Sequence, residues 1–289
     1  MKRILICIVL MTFLTGCSSF SDYIEPENRV MVSALGFDYI NNEILVTVEC
    51  IDINTTNNND SYNIMALTAS GENLQKAMAK LNTKIDGKLF LNQCPVLLLG
   101  YGFNESIFKD LFEEAVISQS LPLSIHLVCC DNAQNTISSN TDKKPAGYQL
   151  MSLLHFGKNT VGITDDDTLI VIINSIGKDA FSCKLPRIDY LKSYEIIGCR
   201  YFMKDSYSDY DVLNSQLLYL INNDLMPSQI TLQNEVLDYI KSDVINEKII
   251  ITVRNYEELK NINKIEAELE ERFTLISDKK YKAKLKGVK

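Results

Sequence analysis

The sequence predicts an α+β (mixed α/β) chain of more than one domain, built from mixed sheets with helices packed on them. Three observations carry that expectation. The first half reads in the order strand, strand, helix, strand, helix, strand, which needs at least one parallel crossover. Residues 95–100 form an unbroken apolar run of strand length, the pattern of a strand buried on both faces. Helical stripes recur with polar outer faces, so the helices cover sheets rather than form a core alone. A length of 289 residues, 46 % apolar and 23 % charged, suits a folded chain with more than one unit.

The first stretch has a fate of its own. Lys2 and Arg3 precede an apolar run at 4–14, too short to cross a bilayer, which takes about 20 residues, but suited to a secretory signal. Leu14, Thr15 and Gly16 then precede Cys17. A branched apolar residue and two small ones fit a signal peptidase cleft, and the cysteine thiol can take a diacylglycerol before cleavage. Residues 1–16 are therefore expected to be a lipoprotein signal peptide, with Leu14, Thr15 and Gly16 as the cleavage flank and Cys17 as the lipidation site. Two acyl chains, at about 0.8 kcal/mol per buried CH₂, hold a protein firmly. Residues 17–26 are polar, contain Pro26 and read as a tether. The expected location is the outer face of the cytoplasmic membrane, anchored by lipid.

The fold begins at about residue 27. Residues 29–37 are β-rich, Ile44, Val46, Val48 and Cys50 alternate with Leu45, Thr47 and Glu49, and Asn41-Asn42 between the runs predicts a hairpin. After an Asn-rich loop at 55–60, Ser70 is placed to cap a helix whose stripe is Leu74, Ala77, Met78, Leu81 and Ile85. The strand at 95–100 follows, then a helix marked by Ile107, Phe108, Leu111, Phe112, Ala115 and Val116, then a strand at 123–130. Residues 148–156 read as a short helix and the β-branched run 168–173 as a strand.

A boundary near 184–186 divides an N-terminal α/β domain, 27–185, from a C-terminal α/β region, 190–289. In the latter, 194–203 reads as a strand, and Val212, Leu213, Gln216, Leu217, Leu220 and Ile221 outline a helix. A second domain ends at about residue 245, and a short or incomplete third follows. It holds a strand at 248–253 and a helix marked by Leu259, Ile262, Ile265, Ala267, Leu269 and Phe273. The lysine-rich end, 279–289, reads as a solvated tail without a closing strand, with attraction to anionic headgroups as the alternative.

Composition narrows the function. Lys plus Arg is 29 against 37 Asp plus Glu, a net charge of −8 with no long basic block, so no nucleic-acid partner is expected. Two histidines, His126 and His155, leave few groups for proton transfer near neutral pH, so catalysis is not expected. Cys50, Cys94, Cys129, Cys130, Cys183 and Cys199 form no CxxC pair and no zinc spacing with the histidines. They read as small buried hydrophobes, and a disulfide such as Cys183–Cys199 stays open. Ser175-Ile176-Gly177-Lys178 matches S-x-x-K but lacks its companion motifs, and Asp165-Asp166-Asp167 reads as a polar turn rather than a calcium loop. No catalytic residue, metal ligand or cofactor is assigned, and ligand-binding residues are left unassigned.

Several segments look like motifs that occur together. Val32-Ser33-Ala34-Leu35-Gly36-Phe37-Asp38 is similar to a V-x-A-L-G-x-D opening strand, and Gly71-Glu72-Asn73-Leu74-Gln75-Lys76-Ala77 to a G-x-T/N-L-x-x-A helix start. Residues 89–100 resemble an aromatic, then G-H, then a hydrophobic strand, with Asn92-Gln93 in place of G-H. Residues 198–205 are similar to a G-x-A-V-F-K-x-D strand. In this order behind Cys17, they resemble the C-subunit lipoproteins of spore germinant receptors, from the lipobox to about residue 275, with Ser18-Ser19 in place of a usual W-D.

The resemblance implies a non-catalytic, diacylglycerol-anchored subunit without a cofactor. It would assemble with two integral-membrane receptor subunits in the spore inner membrane and act in nutrient-triggered spore germination. Members run on past the end of this chain, which implies an incomplete third domain. The competing reading is a solute-binding lipoprotein of a membrane transporter, which shares the lipobox and size.

Overall fold

The computed structural model describes residues 29–52, 63–117, 121–141, 144–161, 168–176, 182–203, 206–222, 228–232, 235–277 and 279–288. Strands β1 (Arg29–Ile40) and β2 (Glu43–Asp52) form the expected hairpin. Its turn residues Asn41 and Asn42 both have positive φ, 53° and 62°. Two such residues in succession match the twist of a tight hairpin, and Asn tolerates that region better than most side chains. Strand β3 (Asn63–Gly71) pairs antiparallel with β2. Helix α1 (Leu74–Asn82) follows; its cap is Asn73, whose side chain accepts the Lys76 N–H, while Ser70 lies within β3.

The chain then crosses over repeatedly. Strand β4 (Lys88–Phe90) lies parallel to the start of β1, and β5 (Val96–Leu99) parallel to its second half. Helix α2 (Glu105–Ile117) leads to β6 (His126–Cys129), parallel to β5. Helices α3 (Ala133–Ser138), α4 (Ala146–Val161) and α5 (Leu169–Ser175) precede β7 (Ser182–Tyr190), which joins β6 in parallel. Strands β8 (Tyr194–Met203) and β9 (Ser206–Asp211) return antiparallel. The order is β3-β2-β1-β5-β6-β7-β8-β9, with β4 beside β1.

Both faces of this sheet are covered, as the apolar run at 95–100 requires. Leu35, Leu97, Leu99 and Leu127 meet Leu74 and Leu81 of α1, Phe108 and Phe112 of α2 and Leu169 and Ile172 of α5. The alternate residues Ala34, Val96, Leu98 and Val128 meet Ala133 and Ile137 of α3 and Leu150 and Leu154 of α4. Each buried Leu or Phe side chain contributes about 1.5–3 kcal/mol.

A second sheet follows. Helix α6 (Val212–Asn222) leads to β10 (Gln229–Leu232), β11 (Glu235–Ile245) and β12 (Lys248–Val253), and helix α7 (Ile262–Ser277) crosses back to β13 (Lys282–Gly287). The order is β10-β11-β12-β13, antiparallel except for the parallel pair β12–β13. One face buries Ile249, Ile251, Val253, Ala283 and Leu285 under Leu217 and Leu220 of α6 and Ile265, Leu269 and Phe273 of α7. Helix α6 links the two units, because Leu218 and Tyr219 pack on Cys199 of β8.

Two elements differ from the sequence reading. The run 168–173 is not a strand: Thr168 makes one bridge to His126, and the chain then coils into α5. The place beside β6 belongs to β7, and a helical turn buries Leu169 and Ile172 together, so tertiary context overrides β-branched propensity. The lysine-rich end does form a closing strand, β13, because Ala283 and Leu285 alternate with its lysines and enter the core. The 184–186 region lies inside β7, and the position near 245 lies at the turn joining β11 to β12.

Candidate functional site

Open α/β sheets usually take ligands at a crevice beyond the C-terminal ends of their parallel strands. In this chain the rim formed by β1, β5 and β6 is filled from within by Asp38, which is fully buried. Its Oδ1 accepts the N–H groups of Tyr101 at 2.9 Å and Ala133 at 3.0 Å, and its Oδ2 accepts that of Gln134 at 3.0 Å. Ala133 and Gln134 open α3, so the carboxylate satisfies backbone donors that the helix leaves unpaired. The rim is tight: a Cβ on Gly100 would lie 1.9 Å from Asp38 Oδ1, and one on Gly36 would lie 2.7 Å from Ile137 Cδ1.

A second buried carboxylate serves α4. Glu49 Oε2 accepts the Ala146 N–H at 2.6 Å and the Ser33 hydroxyl, and Oε1 accepts Asn140 Nδ2 at 2.8 Å. Burial pushes the Glu49 pKa above its ordinary 4.5, against the lowering effect of its hydrogen bonds from Ser33, Asn140 and the α4 backbone. A third polar group stitches β6, β8 and β9. Arg200 meets Asp209 through Nε–Oδ1 at 2.6 Å and Nη2–Oδ2 at 2.9 Å, stacks over the Tyr207 ring at 4.4 Å and donates to the Cys130 carbonyl at 3.4 Å. Burial opposes the Arg200 charge, but Asp209 outweighs it and raises the pKa; Arg200 likewise holds Asp209 low despite burial. Arg187 Nη2 donates to both carboxylate oxygens of exposed Asp131, at 2.9 and 3.1 Å.

The motif residues thus have architectural tasks. Ser33, Gly36 and Asp38 of the first motif hold Glu49, admit α3 and cap α3. In the second motif, a Cβ on Gly71 would lie 2.5 Å from the Ala77 nitrogen, Asn73 caps α1, and Leu74 and Ala77 are buried. Gly198 has φ of 143°, and a Cβ there would lie 1.8 Å from the Tyr210 carbonyl oxygen. Sequence reasoning assigned no role to Asp38, Glu49 or Arg200; the available signal was a charged residue within an otherwise buried strand.

Other sequence candidates are dispersed. Leu14, Thr15, Gly16 and Cys17 lie outside the described residues, as do Asp165, Asp166, Asp167 and Lys178. Ser175 donates its hydroxyl to the Ile172 carbonyl of its own helix. His126 opens β6 half-buried, and His155 is exposed on α4, edge-on to Phe156. Cys50, Cys94, Cys129, Cys130, Cys183 and Cys199 are buried and form no disulfide with one another. Burial pushes the thiols of Cys50, Cys94 and Cys130 up to about 12 and that of Cys129 well above its ordinary value, so they are protonated at neutral pH. Among the described residues, no group of three or more His, Cys, Asp and Glu could hold a metal ion, and no helix is long and apolar enough to cross a membrane.

Fold and site together define a two-sheet α+β protein in which the buried charges cap helices and join strands. Residues 22–190 match the family model described as the spore germination protein N-terminal domain, more than half of the chain, and the chain belongs to the spore germinant receptor C-subunit family. The match ends at Tyr190, the last residue of β7. No curated protein and no solved structure matches the chain.

Proposed function

We propose that this chain is the lipid-anchored, non-catalytic subunit of a nutrient germinant receptor. Acylated Cys17 holds it on the outer face of the cytoplasmic membrane, the spore inner membrane, where it works with two integral-membrane subunits. The observation that carries the reading is the family match over residues 22–190. The Leu14-Thr15-Gly16-Cys17 sequence supports the anchor, since it joins an apolar signal to an acylable thiol. The internal use of Asp38, Glu49 and Arg200 supports an assembling rather than a catalytic role.

The test is Cys17→Ala in spores, followed by radiolabelled palmitate incorporation, membrane fractionation and the nutrient germination response. The expected result is loss of label, release from the membrane fraction and a weakened response. Membrane retention and a normal response in the unlabelled variant would refute the anchoring role.

A further inference from the structure

The lysine-rich end, which reads as a loose tail in the sequence, is ordered into one face of the second sheet. In β13, Ala283 and Leu285 point into the core while Lys282, Lys284 and Lys286 are exposed on the opposite face. Parallel pairing sets Lys282 directly opposite Lys248 of β12, which is also exposed. Strands β12 and β13 contain no acidic residue. On the neighbouring β11, Asp243 is engaged by Lys241 at 3.2 Å, and Glu247 lies in the adjoining turn. Helices α6 and α7 pack on the other face.

Edge protection does not account for this arrangement. Lysines often guard an exposed strand edge against pairing, but two edge N–H groups of β13 are already occupied: Ala283 donates to Glu270 at 3.1 Å and Leu285 to Glu266 at 2.8 Å. The lysines project from the sheet face, and like charges directly opposite destabilise a strand pair. A cationic row on a chain of net charge −8 is complementary to an extended anionic surface.

We infer that the Lys248, Lys282, Lys284 and Lys286 face docks on anionic phospholipid headgroups, as a second contact beside the acyl anchor. The choice of a bilayer as occupant rests on the anchored reading proposed above. Side chains on one strand face repeat about every 6.7 Å, so three lysines span about 13 Å of a flat surface, the geometry of a headgroup plane rather than of a pocket. Lysine suits this contact as a compact, mobile charge that needs no fixed fork geometry.

The full acylated chain contains no tryptophan, so one introduced indole reports its own position. Thr252→Trp places the reporter on the lysine face, and Tyr101→Trp places a control in the turn after β5, at the rim of the first sheet. Each is incorporated into vesicles of phosphatidylcholine alone, or with 30 % phosphatidylglycerol, containing dansyl-labelled lipid, and energy transfer is measured. Transfer from position 252 should rise at least twofold with the anionic lipid, fall back in 0.5 M salt, and be lost in a Lys282→Gln, Lys284→Gln, Lys286→Gln background. Position 101 should not respond.

Without the anchor, binding should weaken about fivefold for each lysine removed. Equal transfer in both vesicle types, or indifference to the triple variant, overturns the inference. If transfer is indifferent while the triple variant abolishes germination, the face serves an acidic protein partner and the lipid assignment is wrong. Failure to join neutral vesicles sinks the Cys17 anchor alone; flotation on anionic vesicles, with and without the triple variant, then decides the lysine face.

Discussion

Replacing Asp38 tests whether the strand-end rim is architecture. Asp38→Ala removes the acceptor for three backbone N–H groups, at Tyr101, Ala133 and Gln134. A hydrogen bond to a charged group contributes about 1.5–3 kcal/mol, and a buried donor left unpaired costs about 1–3 kcal/mol. Tyr101 is 62 % exposed, so water can reach that end of the rim, whereas Ala133 is fully buried. One fully buried donor and two partly accessible ones give a loss of about 3–5 kcal/mol. That is a large share of the ~5–15 kcal/mol that holds an ordinary domain together. Asp38→Asn should cost less, about 2 kcal/mol, because its carbonyl can still accept from Tyr101 and Ala133 while its amide faces the Gln134 donor. The assay is urea unfolding followed by circular dichroism, with amide exchange resolving the two sheets. Exchange at Leu98 of β5 should accelerate and that at Ile251 of β12 should not. A loss below 1 kcal/mol for Asp38→Ala, or equal losses for both variants, would refute the capping argument.

Two further predictions concern other carboxylates. Because burial raises the Glu49 pKa, the folded protein holds that proton more tightly than the unfolded chain, whose carboxyl titrates near 4.5. Glu49 therefore favours folding most at acid pH, and stability should decline as pH rises from about 4.5 through the raised folded value; Glu49→Gln should remove that decline in unfolding curves. Glu266→Ala with Glu270→Ala should free the β13 amides of Ala283 and Leu285 for pairing between chains, so light scattering should report concentration-dependent association. A strictly monomeric double variant would show that the carboxylates do not guard this edge.

What could be read in the sequence was what local pattern controls. The β1–β2 hairpin follows from alternation around Asn41-Asn42, and the helix stripes follow from spacing within each segment. The capping carboxylates follow from neither, because their partners are distant: Asp38 and Ala133 are 95 positions apart, and Glu49 and Ala146 are 97 apart. α5 escaped because its β-branched composition favours a strand until β7 takes the place beside β6. β13 escaped because lysine content masked a simple inward alternation of Ala283 and Leu285.

The two buried carboxylates also explain how the two helices on one face of the sheet keep fixed positions. Helix α3 has only six residues, too few for backbone hydrogen bonding alone to order it. It is held because Asp38, at the end of β1, supplies acceptors at its first turn, while Gly36 on the same strand clears room for Ile137. Glu49 on the neighbouring β2 does the same for α4, through Ala146 and with Asn140 from the intervening loop. The β1–β2 hairpin therefore sets the positions of two helices more than 90 residues later in the chain. A change in the first motif should be transmitted to the α3–α4 surface, which makes that hairpin, rather than any pocket, the place where sequence governs the shape offered to a partner.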